Sequence, residues 1–172
     1  TLKGLQDLET EYKGFLYAGL MIVENEPYLI EYNVRMGDPE CQTILPILET
    51  DIIDIFTSCT NENLDQINLK WVNKKSICVV LCSNGYPKKY EKGVEIKNFD
   101  KLNLDKDSLL FHAGTIKSDK KIIATGGRVL NFVSLSNNFS KARSDIHENL
   151  NKLKWDNGFY RKDIAFKVID KE

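Results

Sequence analysis

Residues 28–40 read "YLIEYNVRMGDPE". Through Met36 the side chains alternate in character: Ile30, Tyr32, Val34 and Met36 fall on one side, Glu31, Asn33 and Arg35 on the other. A period of two is that of a β-strand with one apolar and one polar face. The run ends in Gly37-Asp38-Pro39-Glu40, in which Gly37 supplies a turn, Asp38 is placed to cap a helix and Pro39 suits its first position. Upstream, "GFLYAGLMIV" (14–23) is a second strand, rich in aromatic and branched residues. The short polar "ENEP" between the two predicts a β-hairpin.

Downstream, Ile44, Leu45, Leu48, Ile52, Ile55 and Phe56 recur at helical spacing, with Pro46 dividing the stretch into two helices. Asp51 and Asp54 belong to an exposed or capping helix face. "TNENLDQINLKWVNK" is polar and patternless and marks a boundary, so residues 1–69 and 70–172 are expected to be separate domains. Beyond it, "SICVVLCSNGYP" predicts an apolar strand ending in a turn, with further strands at "VEI", "LLFHAGTI", "KIIAT" and "RVLNFVSL". A helix is predicted over 139–153, capped by Ser136 or Asn138, and a last strand at "YRKDIAFKVI". Strands in runs rather than in strict alternation with helices define an α+β chain.

Composition narrows the function. The chain has 172 residues, 42% hydrophobic and 28% charged, with a formal net charge of -1. That balance offers no basic footprint for nucleic acid. No apolar run approaches the roughly 20 residues that span a bilayer. Cys41, Cys59, Cys78 and Cys82 form no C-x-x-C pair, and His112 and His147 are the two histidines, which disfavours a structural zinc site. Unpaired cysteines in apolar strands suit a reducing compartment, so a soluble, cytoplasmic protein is expected, with no membrane partner. His112 reads as a strand histidine making one hydrogen bond, and His147, flanked by charged residues, as a surface group. The start at Thr1 reads as a start inside a domain.

The polar face of residues 28–36 carries the chemistry. Glu31 and Asn33 lie roughly 7 Å apart along a strand and point the same way. Two hard oxygen donors at that reach suit Mg²⁺, which keeps most of its shell for water and phosphate. Arg35, next on that face, is able to hold a phosphate or carboxylate through two parallel hydrogen bonds. From the residues alone, a solvated sheet face explains the same row.

The row "GFLYAGLM…PYLIEYNVRMGDPECQTILPILETDI", continued by "VVLCSNGYPKKYEKGVEI", "FHAGT", "TGGRVL" and "YRKDI", closely resembles the phosphoribosylamine–glycine ligase family of ATP-grasp enzymes, in the family's own order. The resemblance covers nearly the whole chain and corresponds to the C-terminal part of that enzyme. It implies the C-terminal half of an ATP-grasp fold over 1–69, antiparallel strands plus helices, and a small mixed β/α domain over 70–172. It implies that Glu31 and Asn33 are ligands of Mg²⁺ or Mn²⁺ presenting ATP phosphates. It places Arg35, Gly37, Asp38 and Glu40 at the reacting centre, with Arg35 steadying an acyl phosphate. By analogy with related ATP-grasp ligases, Arg161 and Lys162 are candidates to bind a ribose phosphate, although Ala165 stands where the family usually has glycine. The implied reaction joins glycine to 5-phosphoribosylamine through glycyl phosphate, with ATP consumed, in purine biosynthesis. The implied partner is the N-terminal part of the same enzyme, without which the chain is expected to be inactive. Two rivals are a noncatalytic interaction module and another ATP-grasp carboxylate–amine ligase. "NGYP" reads most simply as a turn, and the paired glycines of "TGGRVL", before a strand, as a structural close approach of backbone to another segment, with Arg128 contacting substrate as the alternative.

Overall fold

The computed structural model describes residues 1–171. It is mixed α and β, every strand pair is antiparallel, and the chain divides into two compact units. The first unit holds Thr1–Cys41 and Leu48–Val72; the second holds Gln42–Ile47 and the chain from Asn73 onward.

The first unit opens with helix α1 (Leu2–Asp7), which the sequence reading does not expect and whose N-cap, Thr1, makes no side-chain capping bond. The expected hairpin follows as β1 (Tyr17–Val23) and β2 (Glu26–Asn33). Its turn is tighter than "ENEP": Glu24 and Asn25 both take positive φ, as a two-residue hairpin turn requires, and Pro27 already lies in β2. The ladder shifts between Gly19 and Leu20, where Glu31 and Leu29 are the partners, so Ile30 is bulged out. β2 ends at Asn33 rather than Met36. The apolar face is not buried either: Ile30 is 64% and Val34 70% exposed, because a two-stranded ribbon has no further layer to bury them. Among this unit's described residues only Gly37 is buried.

Helix α2 (Glu40–Ile44) starts after a cis Asp38–Pro39 bond, one residue later than predicted, and ends where Leu45–Ile47 tightens into a 3₁₀ turn around Pro46. Helix α3 (Ile52–Thr60) is capped by Asp51, whose carboxylate accepts from the Ile53 amide at 2.8 Å. The polar stretch after it is ordered by a short 3₁₀ turn and by the Glu49 amide, which donates to the Lys70 carbonyl.

The second unit is built on a four-stranded sheet in the order β5 (Ser108–His112), β8 (Arg128–Ser136), β3 (Lys75–Ser83), β9 (Gly158–Tyr160). A three-stranded sheet in the order β4 (Val94–Ile96), β7 (Lys121–Ala124), β6 (Thr115–Ser118) stands beside it. Helix α4 (Phe139–Lys152) lays Ala142, Ile146 and Leu150, at helical spacing, against Ile77, Val79, Leu81, Leu130 and Phe132. Its cap is Asn138, which accepts from the Lys141 amide at 2.7 Å. Two expectations fail here. "LLFHAGTI" is not one strand, because the chain breaks at Ala113–Gly114 and passes from one sheet to the other. The predicted last strand keeps only Tyr160; the chain then turns and ends in helix α5 (Phe166–Ile169). Among the described residues no helix is long and apolar enough to cross a membrane.

Candidate functional site

In the first unit, strand alternation does what the sequence predicts for two of the three polar residues. Glu31 and Asn33 point the same way, and the Asn33 Nδ2 donates to Glu31 Oε1 at 2.9 Å. A carboxamide turned end for end places its oxygen where its nitrogen stood. Two oxygens about 2.9 Å apart match one edge of an octahedron with metal–oxygen bonds of about 2.05 Å. Glu31 is exposed and Asn33 half-buried, so the pair faces open space rather than packed side chains. Among the described residues no group of three or more His, Cys, Asp or Glu side chains could hold a metal ion. Two protein oxygens are enough for Mg²⁺, which commonly fills the remaining positions with water and phosphate.

Arg35 is not a third tooth of that row. It lies past the end of β2, exposed, and its Nη1 donates to the Met36 carbonyl at 3.0 Å. Gly37, Asp38 and Glu40 form a closed turn in which the Cys41 amide donates to the Gly37 carbonyl. A β-carbon on Gly37 would meet Glu40 Oε2 at 2.3 Å, so glycine is what lets that carboxylate fold back onto the turn.

Two residues that sequence reasoning passed over shape this site. Tyr17 is the cross-strand partner of Asn33, and its hydroxyl donates to Glu40 Oε1 at 2.9 Å. That hydrogen bond, then burial, then the charges of Glu40 and Glu31, raise the Tyr17 pKa above its usual value. Gly19 is the partner of Glu31, and a β-carbon there would come within 3.2 Å of Glu31 Cγ. Only the ladder register could have revealed either residue. Tyr17→Phe is expected to release Glu40 and destabilise the unit by about 1 kcal/mol. Urea denaturation at pH 7 followed by circular dichroism checks this.

In the second unit the expected turn at "NGYP" and the paired glycines of "TGGRVL" meet at one end of the four-stranded sheet. Ser83 donates from its amide to the Gly127 carbonyl and from its hydroxyl to the Gly126 carbonyl, both at 2.8 Å. The Tyr86 ring lies over Gly127, where a β-carbon would sit 2.1 Å from it. Gly114 and Gly126 abut backbone to backbone. The structural reading of "NGYP" and "TGGRVL" therefore has a concrete basis. His112 makes its expected hydrogen bond, Nδ1 to Thr115 Oγ1 at 2.9 Å, and stacks on Phe99.

Arg161 and Lys162, adjacent in sequence, are treated differently. Arg161 grips both oxygens of Asp163, Nε to Oδ1 at 3.0 Å and Nη2 to Oδ2 at 2.6 Å. Lys162 is exposed and makes no ion pair among the described residues. His147 is not a surface group as expected: it is half-buried beside the Tyr160 ring. Ala165 sits in the left-handed region at φ 67°, which explains why glycine suits this position. Ala165→Gly is expected to relieve strain and stabilise the unit by roughly 0.5–1 kcal/mol after the entropy of a freer unfolded chain is subtracted. Thermal denaturation reads this as a higher midpoint.

With this geometry in hand, comparison with known proteins is informative. Residues 76–167 match phosphoribosylglycinamide synthetase, C domain, and residues 1–41 match phosphoribosylglycinamide synthetase, ATP-grasp (A) domain. Phosphoribosylamine–glycine ligase of Fusobacterium nucleatum is 39% identical over 166 residues, covering 96% of this chain and 39% of that protein. The enzyme of the same name from Caldanaerobacter subterraneus is 42% identical over 154 residues, covering 90% of this chain and 36% of its own length. The crystal structure of phosphoribosylamine–glycine ligase from Thermotoga maritima superimposes with a TM-score of 0.73 at 34% identity, covering 95% of this chain and 40% of that one. The chain thus spans about 40% of the length of the relatives it matches.

Proposed function

We propose a function from a premise that these matches establish: the chain belongs to the phosphoribosylglycinamide synthetase family. It supplies the metal-binding strand pair and the C domain of an ATP-dependent ligase that joins glycine to 5-phosphoribosylamine. The glycine carboxylate attacks the γ-phosphorus of ATP and releases ADP. The amine of phosphoribosylamine then attacks the acyl carbon of glycyl phosphate and releases phosphate, leaving glycinamide ribonucleotide. Such chemistry asks a protein for charge neutralisation and alignment more than for covalent help.

Glu31 and Asn33 hold Mg²⁺ or Mn²⁺, and the bound ion supplies the positive charge that orients and neutralises ATP phosphates. The observation that carries this reading is the 2.9 Å approach of the two side chains on an open face. Arg35, exposed and tethered among the described residues to the neighbouring Met36 carbonyl, is able to swing its guanidinium to an acyl phosphate. Gly37 and Asp38 line the reacting centre, with the Tyr17–Glu40 hydrogen bond holding the turn beside the metal strand. Residues 1–69 act as part of the ATP-grasp domain and 70–172 as the C domain, in a cytoplasmic enzyme. A noncatalytic module would not need the Glu31–Asn33 pair, and another ATP-grasp ligase would not need the C-domain match.

ADP release by the native protein, followed with glycine and phosphoribosylamine supplied singly and together, tests the reading. ADP formation that requires both, with mass-spectrometric detection of glycinamide ribonucleotide, is expected. ADP formation indifferent to either substrate would overturn it.

A further inference from the structure

The chain just past β4 is joined to the segment leading into β9 by an isolated antiparallel bridge. The Lys97 amide donates to the Lys154 carbonyl at 3.0 Å, and the Lys154 amide returns the bond at 3.2 Å. Beside this bridge lies a hollow of about 400 Å³, lined by Val94, Glu95, Lys97, Lys154, Asp156 and Asn157. That volume falls in the roughly 300–1,000 Å³ range of small-molecule sites. Lys154 and Asp156 are exposed, while Trp155 between them packs against the core.

The lining carries carboxylates and ammonium groups in equal number, so it favours neither an anion nor a cation as such. Their engagement is unequal. Glu95 Oε2 stands 3.7 Å from both Lys97 Nζ and Lys121 Nζ. Among the described residues neither Lys154 nor Asp156 has an ion-pair or side-chain hydrogen-bond partner. Asn157 adds a donor, because its Nδ2 is buried with no hydrogen-bond partner, an unfavourable state until an acceptor arrives. One uncommitted charge of each sign, a spare amide donor and an apolar wall at Val94 describe the complement of a dipolar ion with a small aliphatic side chain.

We propose that this hollow binds a free α-amino acid. The ligand's ammonium pairs with Asp156, its carboxylate lies between Lys154 and the Asn157 amide, and its side chain covers Val94. Held in this way it spans both walls and fastens the bridge between Lys97 and Lys154. Glycine, a substrate under the ligase reading, has no side chain to lay on Val94 and should bind here less tightly.

The test is a titration of the native protein with L-valine, followed by NMR through the indole N–H signals of Trp155 and Trp71. A saturable shift of Trp155 alone, with a dissociation constant on the order of 1 mM, is expected. Two analogues of valine each lack one charge: 3-methylbutanoate keeps the carboxylate and 2-methylpropylamine the ammonium. Each should bind about fivefold more weakly than valine, the scale of one exposed charge pair. Lys154→Ala should weaken valine and 3-methylbutanoate by that factor and leave the amine unchanged. Asp156→Asn should weaken valine and the amine and leave 3-methylbutanoate unchanged. Both side chains are exposed, so neither substitution endangers the fold. Lys117→Ala, which removes an exposed cation on β6, should alter nothing. A Trp155 signal indifferent to L-valine at about 20 times the expected constant, or valine affinity unaltered in either variant, would overturn the site. Analogues that bind as tightly as valine would overturn the dipolar match, and glycine that does so would overturn the placement against Val94. None of these outcomes bears on the two-substrate ADP assay of the ligase reading.

Discussion

Glu31→Gln is expected to lower Mn²⁺ affinity about 10- to 100-fold and to cut ligase turnover by roughly two to three orders of magnitude. The substitution keeps the shape of the side chain and an acceptor for Asn33, whose amide now lies 2.9 Å from Glu31 Oε1. What it removes is the one formal negative charge of the pair. A hard divalent ion gains most from that charge, because a neutral carboxamide oxygen is a much weaker competitor with water. Stability should barely change, since Glu31 is exposed and its loss opens no cavity. Asn33→Ala should act in the same direction by removing the second oxygen. Electron paramagnetic resonance of free Mn²⁺ reads affinity directly, and a melting curve reads the fold. Parental Mn²⁺ affinity in Glu31→Gln would remove these two residues from metal binding.

The second large effect is structural. Gly114→Ala should destabilise the second unit by about 3 kcal/mol. The added carbon would stand 2.5 Å from Gly126 Cα, 2.7 Å from Gly126 N and 2.7 Å from the Arg128 carbonyl oxygen. All three are main-chain atoms that cannot rotate aside. Three hydrogen bonds close the same spot: the Gly114 amide donates to Arg128, and the amides of Thr125 and Gly126 share the Gly114 carbonyl. For a unit of this size the melting temperature should fall roughly 12–24 °C. Gly4→Ala is the contrast, because nothing lies within 4 Å of the new carbon inside α1, and a small gain of up to about 1 kcal/mol is expected. Equal melting temperatures for Gly114→Ala and the parent would contradict the close approach.

These cases show which parts of the molecule local sequence could reveal. The hairpin, the division at Pro46, the Asp51 cap and α4 all follow from short-range periodicity or capping chemistry. So does the shared orientation of Glu31 and Asn33, because a strand alternates whatever lies around it. The break at Ala113–Gly114 was hidden, since "LLFHAGTI" has strand-forming residues on both sides and its interruption depends on Gly126, twelve residues away. The tail misled in the opposite way: its branched and aromatic residues suggested a strand, but only Tyr160 finds a partner, Leu81 of β3. Tyr17 and Gly19 were missed because their importance lies across the ladder. His147 reads as exposed because its sequence neighbours are charged, whereas Tyr160 at the end of β9 packs beside it and leaves it half-buried.

The bare ribbon of β1 and β2 has a practical consequence. Leu20, Met21, Ile22 and Val23 face Tyr28, Leu29 and their neighbours with about half or more of each side chain in contact with water. Such a strip is adhesive, and its rims present main-chain groups ready to register with a second copy. Concentrated preparations of this polypeptide should therefore clump from the hairpin outward, and salts that strengthen water's cohesion should hasten it.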